Sequence, residues 1–242
     1  MREAPLPPAL LQHASAYYRS AGRFAWHFAR GKLRDPAFRA ILAGGYLAHR
    51  RDLLDLGAGQ GLLAAWLLAA RACHASGSAA DWPAHWPAPP QLRSYTGIEI
   101  NPHEVRRARR AFGLDTGITV RMVHADIREA DYGNPDAIVL LDVLHYNDFA
   151  AQEALLRRAR AALPDDGLLL MRIGDRAGGM AFTLSTAVDR TVALARRGRW
   201  LRLYCRPLRQ WQELLRALGF SCRAIPMVGA AYSNALLVAH PA

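Results

Sequence analysis

Three glycines at alternate positions follow a short apolar run: Leu53 and Leu54 lead into Asp55-Leu56-Gly57-Ala58-Gly59-Gln60-Gly61, and a helix-like segment begins behind them. Glycine lets the backbone take positive φ and removes the Cβ, so a ligand can lie against bare amide groups at a helix N-terminus. That is the chemistry of a turn that cradles a nucleotide. A phosphate-binding loop would need Lys-Ser/Thr after its last glycine, where this chain has Leu62-Leu63, and a dinucleotide fingerprint would need its third glycine one residue later, at Leu62. A carboxylate at Asp55 would also repel a pyrophosphate, whereas it suits a ligand that carries a cationic amine.

An acidic residue followed by Gly-x-Gly-x-Gly resembles the first motif of class I S-adenosylmethionine-dependent methyltransferases, and further motifs follow in that family's order. In Tyr95-Thr96-Gly97-Ile98-Glu99-Ile100, Glu99 stands at a strand end where it can accept from the ribose hydroxyls. Two charge-assisted hydrogen bonds there contribute roughly 2–5 kcal/mol to binding. In His124-Ala125-Asp126-Ile127 the resemblance assigns Asp126 to the adenine amine and the backbone of Ile127 to the ring. The same resemblance places Asp55, Gly57, Ala58, Gly59, Gly61, Ile100 and Asp142 around the cofactor, with S-adenosylhomocysteine as coproduct and no metal.

The segment Leu140-Leu141-Asp142-Val143-Leu144-His145-Tyr146-Asn147-Asp148 falls at the carboxyl end of a strand, where open α/β sheets bind ligands. It lacks the Asn/Asp-Pro-Pro-aromatic element of enzymes that methylate base amino groups, and instead looks like that of small-molecule methyltransferases. His145 is the candidate general base, because an imidazole titrating near neutrality suits proton abstraction; a packing role stands beside it, since alignment and water exclusion alone can drive methyl transfer. Tyr146, Tyr18 and Trp26, with Tyr17 and Phe28, are candidate acceptor walls, Arg172 can hold an anionic acceptor or pair with a strand-end acid, and Tyr232-Ser233-Asn234 can close one side. Lys32 is the one lysine among 31 basic residues. It or Arg30 can pair the cofactor's carboxylate or an acidic substrate group, or cap a helix end as a solvated cation.

These residues need a frame, and the pattern supplies an α/β one. Residues 8 to about 44 read as helices, with Leu11, Tyr18, Phe24 and Phe28 on a roughly helical period. From Arg51 strand and helix alternate: Asp52 to Leu56, a helix from Gln60, Ser94 to Ile100, a helix after Pro102, Ile118 to Val123, Ala137 to Leu141, a helix from Asp148 to Leu163, and Leu168 to Ile173. Pro207 opens another helix that Gly219 closes, and Phe220 to Met227 with Ala235 to His240 can form a hairpin. The expectation is a Rossmann-like, doubly wound, seven-stranded sheet, parallel except for a C-terminal antiparallel hairpin. Residues 1–49 form a helical cap and 50–242 the methyltransferase-like domain, with an insertion at about 72–93 and a helical lid at about 178–200.

With 242 residues and 52% hydrophobic side chains the chain can bury one sizeable core. No apolar stretch approaches a membrane span and no basic-then-apolar leader opens the chain, so the expected location is cytoplasmic. Cys73, Cys205 and Cys222 suit neither a disulfide framework nor a zinc site. The net charge of +11 permits an anionic partner, but no Arg/Lys run is interleaved with aromatics, which disfavours nucleic acid. The Arg30-Gly31-Lys32-Leu33 and Leu144-His145-Tyr146 segments further resemble bacterial methyltransferases associated with pigment, polyene or fatty-acid-like biosynthesis. That resemblance implies an acceptor on an acidic acyl carrier protein.

Overall fold

The computed structural model of the chain describes residues 6–78, 80–113, 115–174, 202–227 and 234–242, and the chain divides into two compact units, Met1–Ile127 and Arg128–Ala242. Seven strands form one mixed sheet, in the spatial order third, second, first, fourth, fifth, seventh and sixth along the chain. None of the described helices is long and apolar enough to cross a membrane.

The first unit begins with helices α1 (Pro8–Ala16), α2 (Arg23–Lys32) and α3 (Pro36–Ala43), with a 3-10 turn at Tyr17–Arg19 between the first two. Proline in the first turn opens α1 and α3, where its missing N–H costs nothing, and the Asp35 carboxylate caps α3 by accepting from the Ala37 amide at 3.0 Å. Then come β1 (Asp52–Leu56), α4 (Leu62–Ala75), β2 (Ser94–Glu99), α5 (Pro102–Ala111) and β3 (Thr119–His124). The three strands are parallel, with Leu56 beside Ile98 and Glu99 beside His124. Their carboxyl ends, carrying Asp55, Glu99 and Asp126, therefore lie side by side.

Helix α4 explains the longest apolar run: every residue from Leu62 to Ala70 is buried, so the run faces protein on all sides. Helices α1 and α3 pack against it, and the Trp66 indole, fully buried, donates to the Phe38 carbonyl at 2.7 Å. The segment expected as a surface insertion begins as the last turn of α4 and then folds back over its own small core. Trp82 and Trp86 are buried edge to face at 5.4 Å, and Pro87 comes so near Gly45 that a Cβ there would stand 2.6 Å from the proline ring. Phe24, on the apolar period of the sequence, is instead 67% exposed.

The second unit contains β4 (Ala137–Leu141), a 3-10 turn at Leu144–Tyr146, α6 (Phe149–Ala162), β5 (Leu168–Gly174), α7 (Leu208–Ala217), β6 (Phe220–Pro226) and β7 (Asn234–Pro241). Strands β4 and β5 are parallel and almost wholly buried, as strands covered on both faces must be. The C-terminal hairpin forms, but its second strand inserts between β5 and β6 and runs against both. One strand reverses, so β6 points the same way as β5. The lid expected at 178–200 lies outside the described residues.

Trp66→Ala should remove a buried ring and orphan the Phe38 carbonyl, at a cost of roughly 3–5 kcal/mol. Guanidinium denaturation should show a lower midpoint at unchanged slope; a midpoint within error of the parent would contradict the packing described here.

Candidate cofactor cradle and acceptor-side residues

The turn after β1 has the backbone that its glycines foretell. Gly57, Gly59 and Gly61 take φ of +80°, +56° and +77°, in the left-handed region that costs other residues about 1 kcal/mol or more. The amides of Gly57 and Ala58 both donate to the Ile98 carbonyl, at 2.9 and 3.1 Å, which docks the turn on the tip of β2. The next donor, the Gly59 amide, meets the Glu99 carboxylate at 3.0 Å, and the other Glu99 oxygen accepts from the Asn101 amide at 2.8 Å. Each oxygen retains a lone pair for a further donor. A Cβ on Gly59 would project into open space, whereas one on Gly61 would meet the Phe112 ring at 2.7 Å. Gly59 thus keeps a surface bare, and Gly61 allows close packing behind it.

Beneath the turn lies a buried polar chain. Asp55 is only 4% exposed and accepts from the Tyr95 hydroxyl at 2.5 Å. Burial raises its pKa to about 7, with the Tyr95 bond opposing and the Glu99 charge adding to the rise. Tyr18, fully buried, donates to the Gln60 carbonyl at 2.9 Å, and the Gln60 side chain donates to the Ala25 carbonyl at 3.4 Å. Burial pushes both phenols well above the usual tyrosine range, so they remain neutral donors. Tyr18, read from sequence as an acceptor wall, is here the tether between the helical layer and the turn. Beyond Glu99, Ile100 is 45% exposed, the His124 ring nitrogen Nε2 lies 3.1 Å from the Ile100 carbonyl, and the Ala125 amide donates to the Glu99 carbonyl at 3.2 Å. These contacts bring Asp126 and the buried Ile127 beside the β2 tip.

The other candidates of this unit have local partners. Lys32 pairs with Asp35 at 2.8 Å, and the Arg30 guanidinium lies 5.4 Å from the centre of the half-buried Trp26 ring, which meets His27 edge to face. Tyr17 packs on Phe112 at 5.8 Å.

In the second unit the structure joins two residues assigned separately. Arg172, 6% exposed, donates from Nε to Asp142 at 2.6 Å, and its Nη2 pairs with the other carboxylate oxygen, a two-pronged match. Asp142 has φ of +58°, the one described non-glycine residue with positive φ. Side-chain capture by the guanidinium holds that conformation, which aspartate tolerates better than most residues. His145 lies in the 3-10 turn against Tyr146, ring centres 4.2 Å apart, and its carbonyl accepts from the Tyr204 amide at 2.9 Å. Tyr232 and Ser233 lie outside the described residues.

A family model described as a methyltransferase domain matches residues 25–225. The chain belongs to that family. Its fold is that of class I S-adenosylmethionine-dependent methyltransferases. An O-methyltransferase family protein from Burkholderia thailandensis superimposes with a TM-score of 0.64 at 19% identity over 93% of this chain, which spans 62% of that protein. Magnesium protoporphyrin IX methyltransferase from Synechocystis, with bound S-adenosylhomocysteine, gives 0.59 at 17% identity and covers 98% of each chain. The mitomycin 7-O-methyltransferase MmcR gives 0.61 at 19%, over 99% of this chain and 69% of that one. A comparison with curated proteins finds no match.

In this methyltransferase the side chains that sequence reasoning missed are Tyr95, as the partner of Asp55, and Gln60, as the tie to the helical layer. A signal existed for Gln60, the one long polar side chain inside the glycine turn. Tyr95 carried none beyond its place on β2.

Asp55 links stability to pH. Its native pKa lies above the unfolded value, so between about pH 4 and 7 the native state holds the extra proton and stability falls as pH rises. Asp55→Asn keeps an acceptor for Tyr95 and removes that slope. Chemical denaturation at pH 5 and pH 8 should show the variant losing less stability than the parent, by up to about 2.7 kcal/mol. Equal losses would return Asp55 to an ordinary carboxylate.

Proposed function

We propose that this methyltransferase moves the methyl group of S-adenosylmethionine to an oxygen or carbon of a small molecule. The observation that carries the reading is the Glu99 carboxylate, held by the Gly59 and Asn101 amides at the edge of a turn where a Cβ on Gly59 would meet open space. Glu99 takes the ribose hydroxyls, Asp126 the adenine amine, and the Ile127 backbone amide the adenine ring. The 57–61 turn, where a Cβ on Gly59 would meet open space, takes the methionine portion, and Asp55 its ammonium. S-adenosylmethionine supplies a methyl carbon whose bond to the sulfonium breaks with the electron pair left on sulfur, giving S-adenosylhomocysteine. His145 is assigned to take up the acceptor's proton, and Tyr146 and Trp26 to wall the acceptor. The neighbours' names support a small acceptor, since mitomycin and magnesium protoporphyrin IX are small molecules. Arg172, bound to Asp142, acts by holding the strand ends rather than by meeting an anion alone.

The net charge of +11 supports a further element, an acceptor delivered on an acidic acyl carrier protein in the cytoplasm. Lysate of the source organism treated with enzyme and methyl-labelled cofactor tests the whole reading. Label in a small molecule or a carrier-protein fraction supports it; label in RNA, or in nothing, overturns it.

Cofactor binding is tested separately. S-adenosylhomocysteine at about 100 times its dissociation constant stabilises by about 2.7 kcal/mol, or roughly 5–10 °C in Tm for a domain this size. Glu99→Ala should abolish most of that shift and lower the unliganded Tm modestly, because two backbone amides lose an acceptor to water. A full shift in the variant would remove Glu99 from the site.

A further inference from the structure

Gln152 is fully buried in the first turns of α6, and its amide group is used to capacity. The two N–H groups of Nε2 serve three carbonyls, those of Tyr204 at 2.7 Å, Asn147 at 2.9 Å and Leu144 at 3.2 Å. Oε1 accepts from the Arg206 Nε at 3.0 Å. The orientation of the amide is fixed by chemistry, because a guanidinium only donates and a flipped amide would set donor against donor and oxygen against three carbonyls. The carbonyls of Leu144 and Asn147 belong to the turn that carries His145, and that of Tyr204 belongs to the irregular segment 202–207 before α7. Tyr204 in turn donates its amide to the His145 carbonyl. Arg206 is itself fixed: its guanidinium lies 4.5 Å from the Phe149 ring centre and 5.7 Å from that of Trp211, and Nη2 donates to the Phe149 carbonyl at 3.1 Å. The Phe149 ring also meets Tyr204 edge to face at 5.6 Å.

Both the His145 turn and the 202–207 segment lie outside the strands and α-helices of this unit. One neutral side chain joins them to each other and to α6. We infer that Gln152 is a positioning residue: braced by Arg206, it sets the orientation of the His145 turn, and so of the imidazole to which the proposed function gives the acceptor's proton. The inference rests on that function for its catalytic meaning, while the positioning itself can be measured without an acceptor.

Three variants separate the contacts. Gln152→Leu removes all four bonds at similar volume; Gln152→Glu keeps the acceptor for Arg206 and loses the donors; Arg206→Gln loosens the brace from outside. The His145 ring signal, identified among the nine histidines by its loss in His145→Gln, is followed by NMR over a pH titration. Expected is a shift of half a pH unit or more in the His145 midpoint for both Gln152 variants and a smaller one for Arg206→Gln. The other histidines should be unmoved, and exchange of the Tyr204 amide should be at least tenfold faster. The thermal shift with S-adenosylhomocysteine should persist, since the cradle draws on other residues. An unchanged His145 titration in any Gln152 variant that retains this thermal shift overturns the inference; should Gln152→Leu fail to fold, Gln152→Glu and Arg206→Gln decide it. Failure of the methyl-transfer reading would show instead as no thermal shift in the parent protein.

Discussion

The bond from the Gly59 amide to the Glu99 carboxylate, across forty residues of sequence, is the constraint on which the cradle depends. A glycine-rich turn is entropically costly and has no side chains to pack. It must be fastened by its backbone, and three successive amides do this: two donate to Ile98 and the third to Glu99. The parallel register that sets Leu56 beside Ile98 makes those bonds possible. The same carboxylate that fastens the turn keeps acceptor capacity, so the element that shapes the turn can also meet a ligand's donors.

The turn is also held from the other side. Tyr18 reaches the Gln60 carbonyl from the helical layer, and the Gln60 amide reaches back to Ala25. Phe112, packed on Tyr17 and Tyr18, closes the space behind Gly61. Burying this chain of polar groups would be expensive if it were charged. It is mostly neutral: two phenols that do not ionise, one amide, and one carboxyl that burial keeps protonated to near pH 7. A cation close to Asp55 would bring its negative charge back, which makes this acid the point where ligand charge and fold stability meet.

The strands, the glycine turn and the order of acidic tips were legible in the sequence because each is written locally, in apolar runs and in positions where only glycine fits. Partnerships were not. Arg172 had several acids within reach on paper, and the choice of Asp142 follows from the register that sets Leu141 beside Arg172. Lys32 looked available because a helix-capping carboxylate is not an obvious ion-pair partner; that of Asp35 does both tasks, capping α3 with one oxygen and pairing with the other. Phe24 fitted the helical period yet faces outward between Phe28 and the Arg107 guanidinium, since periodicity identifies a face and not what covers it. The insertion between α4 and β2 looked like loose surface by composition, but its tryptophans find each other.

Each unit uses a buried glutamine where a charged residue would be the stronger local binder. Gln60 and Gln152 both join a turn near a strand end to chain that arrives from elsewhere, and both are at most 1% exposed. An ion at either place would carry a desolvation cost of several kcal/mol and would add a field beside Asp55 or His145. An amide supplies donor and acceptor together with no net charge, so it can fix two backbones without placing a charge of its own beside a neighbour. Gln152 takes the further step of admitting one cation, Arg206, whose charge is spread over two aromatic faces and a backbone carbonyl. Neutral ties of this kind hold the turns in place without adding a charge of their own beside Asp55 or His145.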